Sequence, residues 1–188
     1  IKQVPMVSEL PWNSKTGTLK RELAEGMMDP ASRRALEAAL QIKENQGAHI
    51  CAVTMGPAMA EEILHQSKAL GADEGILLTD RRMAGADTFL TSLILSRFIQ
   101  REYKSFDLVI CGSQTSDSET AQVGPQLAEE LDIPAIGYVN QVRVEKDIIE
   151  ARRHVDDFYE ILTMDLPGLI TIDLSAYKPR YLALEGLE

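Results

Sequence analysis

Residues Phe106 to Leu131 read FDLVICGSQTSDSETAQVGPQLAEEL, and the succession of residue types in this stretch decides the fold. Asp107-Leu108-Val109-Ile110-Cys111 is a short apolar run of the kind that forms a buried parallel strand. It breaks at Gly112 into small and hydroxyl-bearing residues: Ser113, Thr115, Ser116, Ser118 and Thr120. Gln114 and two carboxylates, Asp117 and Glu119, sit among them. After Pro125 the four-residue spacing of Leu127 and Leu131 predicts a helix. A strand that feeds a small-residue loop at a helix N-terminus offers free N–H groups and the positive end of a dipole to an anion. Pro125 lacks an N–H and should disturb the first turn, leaving N–H groups of Thr120 to Val123 open. The stretch is neither a Walker loop nor G-x-G-x-x-G. Its plainer reading is a strand-loop-helix junction without a ligand.

Outward from this stretch the pattern alternates. Ile1 to Val4 reads as the end of a strand, and Pro5 to Met28 as a long irregular excursion with a turn at Gly17 between two short extended pieces. Asp29 caps a helix with Pro30 at its favoured first position, running through Ala35, Leu36, Ala39 and Leu40 to Gly47. Ile50 to Val53 is the next buried strand, broken at Met55-Gly56-Pro57. Ala58 to Leu70 is helical and stops at Gly71, and Gly75 to Leu78 is the third strand. A loop through Gly85 leads to Asp87, which caps a helix from Thr88 to about Lys104. Beyond the 106–131 stretch the alternation changes. Ile136 to Val144, Ile148 to His154 and Phe158 to Met164 predict an antiparallel meander, and Leu169 to Ile172 one more buried strand. The fold class expected is α/β: a doubly wound, mostly parallel sheet with helices on both faces, ligands at the carboxyl ends and an added meander.

The chain has 188 residues, enough for one domain with a substantial core. Apolar residues make up 45% and charged residues 26%, the balance of an ordinary globular protein. The net charge of −10 argues against a nucleic-acid surface. No run of 18 apolar residues occurs, so no membrane insertion is expected. Cys51 and Cys111 fall inside predicted buried strands and read as small core residues. No signal peptide is visible, and a reducing cytoplasm is the natural setting.

His49, His65 and His154 are scattered, without a partner at metal spacing, so no metal site is expected. Ser113, Ser116 and Ser118 lack a G-x-S-x-G elbow. Asp117 and Glu119 read either as paired acids of a hydrolase or, at a helix N-terminus, as acceptors for backbone N–H groups or ribose hydroxyls. No catalytic residue of the chain's own is expected.

The segment Asp117-x-Glu119-Thr120-Ala121-Gln122-Val123-Gly124-Pro125-x-Leu127-Ala128-Glu129 resembles the signature of the electron transfer flavoprotein β subunit. Lys2-Gln3-Val4-Pro5, Thr16-Gly17-Thr18-Leu19-Lys20-Arg21-Glu22, and Asp29-Pro30 followed by Ala35-Leu36-Glu37-Ala38-Ala39-Leu40 resemble further family motifs. Met55-Gly56-Pro57, Ala69 to Glu74 and Lys178-Pro179-Arg180-Tyr181 follow in the family's order. The chain departs at Ser113, where the family usually has Lys or Arg, and at Thr115, Ser118, Glu119, Met6 and Asp29, the last replacing an Asn. Family members begin earlier and continue further, so residues 1–188 are expected to be a single nucleotide-binding domain truncated at both ends.

The resemblance implies that chemistry takes place on FAD while the protein positions it. It implies an α subunit carrying one FAD, and a β site holding AMP or, in electron-bifurcating members, a second FAD; FAD is favoured here. Met55 and Gly112 to Val123 match family nucleotide contacts, and Pro30 lies in a further contact region. Asp80 to Thr88, with Arg81, Gly85, Asp87 and Thr88, resembles the loop bordering the site for NAD in bifurcating members. Leu184 matches the leucine through which the family docks onto acyl-CoA-type or other flavin dehydrogenases. Two rivals stand beside this reading: a stand-alone nucleotide sensor of the universal-stress type, and an adenine-nucleotide hydrolase or ligase using Asp117 or Glu119.

Overall fold

A computed structural model describes residues 1–6, 12–13, 18–19 and 26–181. β1 (Gln3–Pro5) pairs antiparallel with β4 (Gly26–Met28), and between them β2 (Trp12–Asn13) pairs antiparallel with β3 (Thr18–Leu19). Gly17 and its expected turn lie outside the described residues, as does Leu184.

Helix α1 (Pro30–Gln46) begins and ends as its sequence dictates. Asp29 accepts from the N–H groups of Ala31 and Ser32, Pro30 occupies the first turn, and Gly47 closes the helix in the left-handed region at φ 75°. β5 (Cys51–Met55) follows, then a single 3₁₀ turn, α2 (Glu61–Leu70) and β6 (Glu74–Leu78). α3 (Thr88–Glu102) is capped by Asp87, whose carboxylate accepts from Leu90 N at 2.8 Å. β7 (Leu108–Gly112) leads to α4 (Val123–Leu131). The meander is β8 (Ala135–Glu145), β9 (Ile148–Val155) and β10 (Phe158–Asp165), and β11 (Gly168–Ile172) ends the series.

The α/β class stands, with a sheet more divided than the alternation implies. Five strands run in the order β10-β9-β8-β11-β7, while β5 and β6 form a separate parallel pair. β11 is parallel to both β7 and β8, and the meander supplies the antiparallel pairs. All five β11 residues are buried, as a central strand covered on both faces requires. Ala35 and Ala38 of α1 pack with Ile136, Ile170 and Ile172 on one face. Leu127 and Ala128 of α4, with Leu95 and Ile99 of α3, cover Leu169 and Val109 on the other. Leu36 and Leu40 of α1 also join Ala52, Ile63 and Leu64, so this helix spans the two sheets.

The last described turn of chain is fastened to α1. Arg180 donates to Glu37 through Nε at 2.8 Å and Nη2 at 3.0 Å, and it also pairs with Glu44. Arg34 donates to the carbonyl of Ala176 at 2.6 Å. Burial raises both cysteine thiols, Cys111 to about 11, which keeps them protonated at neutral pH. Among the described residues no helix is long and apolar enough to cross a membrane.

Candidate functional site

A cavity of about 1780 Å³ lies between β5 and β7, and its walls include the carboxyl ends of both strands. Met55 and Gly56 close β5, where Gly56 N donates to Leu78 O at 3.0 Å. Opposite them run Gly112 to Thr115 and Thr120 to Val123, and a third wall is the 80–88 segment with Arg81, Gly85, Asp87 and Thr88. These are the residues the sequence singled out, brought to one place. Pro30, Ser116, Asp117 and Glu119 lie outside that wall.

The loop after β7 is held from below by α1. A Cβ on Gly112 would come within 2.5 Å of Ala31 Cβ and 2.8 Å of the Ala31 carbonyl carbon. Glycine is required there because a helix N-terminus abuts the strand, a reason the sequence did not reveal. Ser113 is buried and donates its N–H to Ile172 O at 2.9 Å. Ser116 N donates to Asp29 Oδ1 at 2.8 Å, so the α1 cap residue also grips the loop. Lys2 Nζ contacts both oxygens of Asp117, at 2.7 and 2.8 Å, and Thr115 Oγ1 donates to Asp117 Oδ1 at 2.8 Å. Burial works against ionisation of Asp117, yet the Lys2 ammonium and the Thr115 hydroxyl hold its carboxyl below the usual range.

Beyond Ser118 the loop changes character. Glu119 and Ala121 adopt left-handed backbone at φ 51° and 55°, each costing about 1 kcal/mol in a residue that carries a Cβ. α4 then starts at Val123, two residues before Pro125. The proline is accepted in the first turn because that position has no intrahelical acceptor for an N–H. No side chain caps this helix. Among the described residues the N–H groups of Thr120, Ala121, Gln122 and Val123 have no protein acceptor. Four open donors and a helix dipole therefore meet at one edge of the cavity.

The 80–88 segment begins with a 3₁₀ turn at Arg81–Met83 capped by Asp80. Arg82 is bound to Asp80 through Nε and Nη2, which lowers the Asp80 carboxyl to about 2. Arg81 is exposed and has no carboxylate partner among the described residues. Thr88 Oγ1 donates to Gln122 Oε1 at 3.0 Å and so ties the start of α3 to the start of α4. Lys2 and Asp29 were absent from the sequence-derived site. The cap motif found Asp29, but its second oxygen reaches 87 positions along the chain, and nothing local signals that.

The chain is similar to known proteins over nearly all of its length. A family model described as the electron transfer flavoprotein domain matches residues 16–186. The electron transfer flavoprotein subunit beta of Thermoanaerobacterium thermosaccharolyticum is 43% identical over 187 residues, covering 100% of this chain and 71% of the relative. The caffeyl-CoA reductase-Etf complex subunit CarD of Acetobacterium woodii is 42% identical, covering 99% of this chain and 71% of its own length. The acryloyl-CoA reductase electron transfer subunit gamma of Anaerotignum propionicum is 39% identical, covering 100% and 71%.

Proposed function

This chain belongs to the electron transfer flavoprotein family, among its β subunits, and on that premise we propose that the loop from Gly112 to Val123 holds the phosphates of an adenine nucleotide. The observation that carries the proposal is the run of four unpartnered N–H groups, Thr120 to Val123, at the uncapped start of α4. An anion satisfies all of them at once, and a neutral ligand does not. The left-handed turns at Glu119 and Ala121 aim these groups at cost to the chain alone, a cost that a bound phosphate offsets. Met55, at the end of β5, supplies an apolar wall for the adenine.

The nucleotide favoured is FAD, with AMP as the alternative. The flavin, when bound, supplies the one- and two-electron chemistry. The protein's part is to orient it and to set the charge around it. Asp117 suits a hydrolase poorly, because both of its oxygens are engaged by Lys2 and one also accepts from Thr115. Arg81, free of carboxylates among the described residues, together with the dipole of α3, makes the 80–88 segment a candidate surround for the pyrophosphate of NAD and thus for electron bifurcation.

The partner is a flavin-bearing α subunit. β10 is an edge strand, and Tyr159 and Ile161, two apart and so on one face of it, are 59% and 66% exposed; exposed large side chains side by side on an edge strand suit a protein contact. Partner dehydrogenases of the CoA-ester class are suggested by the names of two relatives.

Denaturing the purified αβ complex and identifying the released small molecules by mass spectrometry tests the reading. Two FAD per heterodimer is the expected result, and one FAD with one AMP would make the protein a simple carrier. Release of no adenine nucleotide from the β subunit would overturn the reading in favour of a different ligand.

A further inference from the structure

We infer that Asp29 is the positioning residue of the nucleotide loop: its two carboxylate oxygens tie the first turn of α1 to Ser116, and this tie sets where the open N–H groups of Thr120 to Val123 stand. The inference rests on the nucleotide reading above and deepens it. Asp29 is wholly buried. Its Oδ2 accepts from Ala31 N at 3.0 Å and Ser32 N at 3.3 Å, while Oδ1 accepts from Ser116 N at 2.8 Å. Three backbone donors at a helix N-terminus stabilise its charge without any side-chain cation.

The division of labour between the two oxygens requires an aspartate. Serine caps a helix as well as aspartate does, but its single short hydroxyl cannot also reach Ser116. Asparagine has one acceptor oxygen, and its amide would present a donor to a donor in one of the two directions. Neighbouring contacts converge on the same stretch. Gly112 lies against Ala31, Ser32 Oγ accepts from Lys2 N at 3.0 Å, and Lys2 Nζ holds Asp117. The loop is thus fastened from Gly112 to Asp117. The left-handed turn at Glu119 begins two residues past the last fastening, so a shift at Ser116 is passed directly to the donors.

Asp29→Ser separates the cap from the tie. In the intact protein with its partner subunit, hydrogen–deuterium exchange should rise in residues 113–118 and stay unchanged in residues 30–34. After the nucleotide is stripped, AMP titrated into the variant should bind about tenfold more weakly, the loss of one hydrogen bond to a charged group. Asp29→Ala, which removes both functions, should raise exchange in both segments. Equal exchange of the two segments in Asp29→Ser would overturn the inference, because Asp29 would then be a cap alone. Faster exchange at 113–118 with unchanged AMP affinity would overturn it as well. If the wild-type protein binds neither AMP nor FAD, the nucleotide reading fails separately, and unchanged exchange at 113–118 would still refute the tie.

Discussion

The Thr88 hydroxyl donates to the side-chain carbonyl of Gln122 across 3.0 Å, and this bond joins the starts of α3 and α4 at one edge of the cavity. Two positive helix ends therefore sit side by side in a chain whose net charge is −10. The nucleotide proposed for this edge would therefore meet backbone dipoles in place of the lysine or arginine that Ser113 replaces.

Removing that bond should loosen the site more than the fold. Thr88→Val, close in shape, should lower stability by about 1 kcal/mol or less. Affinity for the nucleotide should fall several-fold as Gln122 loses its anchor. Calorimetric titration beside a thermal melt checks both; equal loss of stability and affinity would show that the bond serves the core.

Gly112→Ala should act through packing. The added methyl group meets Ala31 backbone at 2.8 Å, and α1 cannot retreat without disturbing both sheets. A destabilisation of about 2 to 3 kcal/mol is expected, read as a lowered melting temperature whether or not nucleotide is present. Gly85→Ala faces open space and pays only for its φ of 78°, about 1 kcal/mol.

The two arginines of the 80–88 segment should behave differently. Arg82 is spent on Asp80, so Arg82→Ala should leave reactivity toward NADH close to wild type. Arg81→Ala should slow NADH oxidation severalfold in the reconstituted αβ complex with flavin content unchanged. Loss of flavin together with reactivity would instead assign Arg81 a structural role.

Acid should probe the Arg180 clamp. Burial works against ionisation of Glu37, but hydrogen bonds from Arg180 and Gln41 prevail and hold its carboxyl below the ordinary value of 4.5. A carboxylate depressed in the folded state stabilises fully above its unfolded value, and that contribution is lost as pH falls through the folded one. Stability of the wild type should therefore decline more steeply than that of Glu37→Gln below about pH 5. At neutral pH the variant should be about 2 kcal/mol less stable. Denaturant unfolding across this range gives both numbers.

What was legible in the sequence was local. Asp29, Asp87 and Gly47 announced helix ends because caps act within a few residues, and the buried run of β11 announced a central strand. The open donors before α4 were expected from a proline that disturbs the first turn; the helix instead accepts Pro125, and the donors stand open because no side chain caps it. What stayed hidden depends on contacts between distant segments. The sheet divides between β5 and β7, Gly112 answers to Ala31, and Asp117 is held by Lys2 from the other end of the chain. A one-dimensional pattern carries periodicity and breaks, and it does not carry which two segments come within a van der Waals radius.

The Arg180 clamp also defines a mooring. With its guanidinium fixed to Glu37 and Glu44, Arg180 is held at a defined point on the flank of α1. Arg180→Ala would cut both ion pairs at once and leave this stretch tied to α1 through the backbone carbonyls that Arg33 and Arg34 hold.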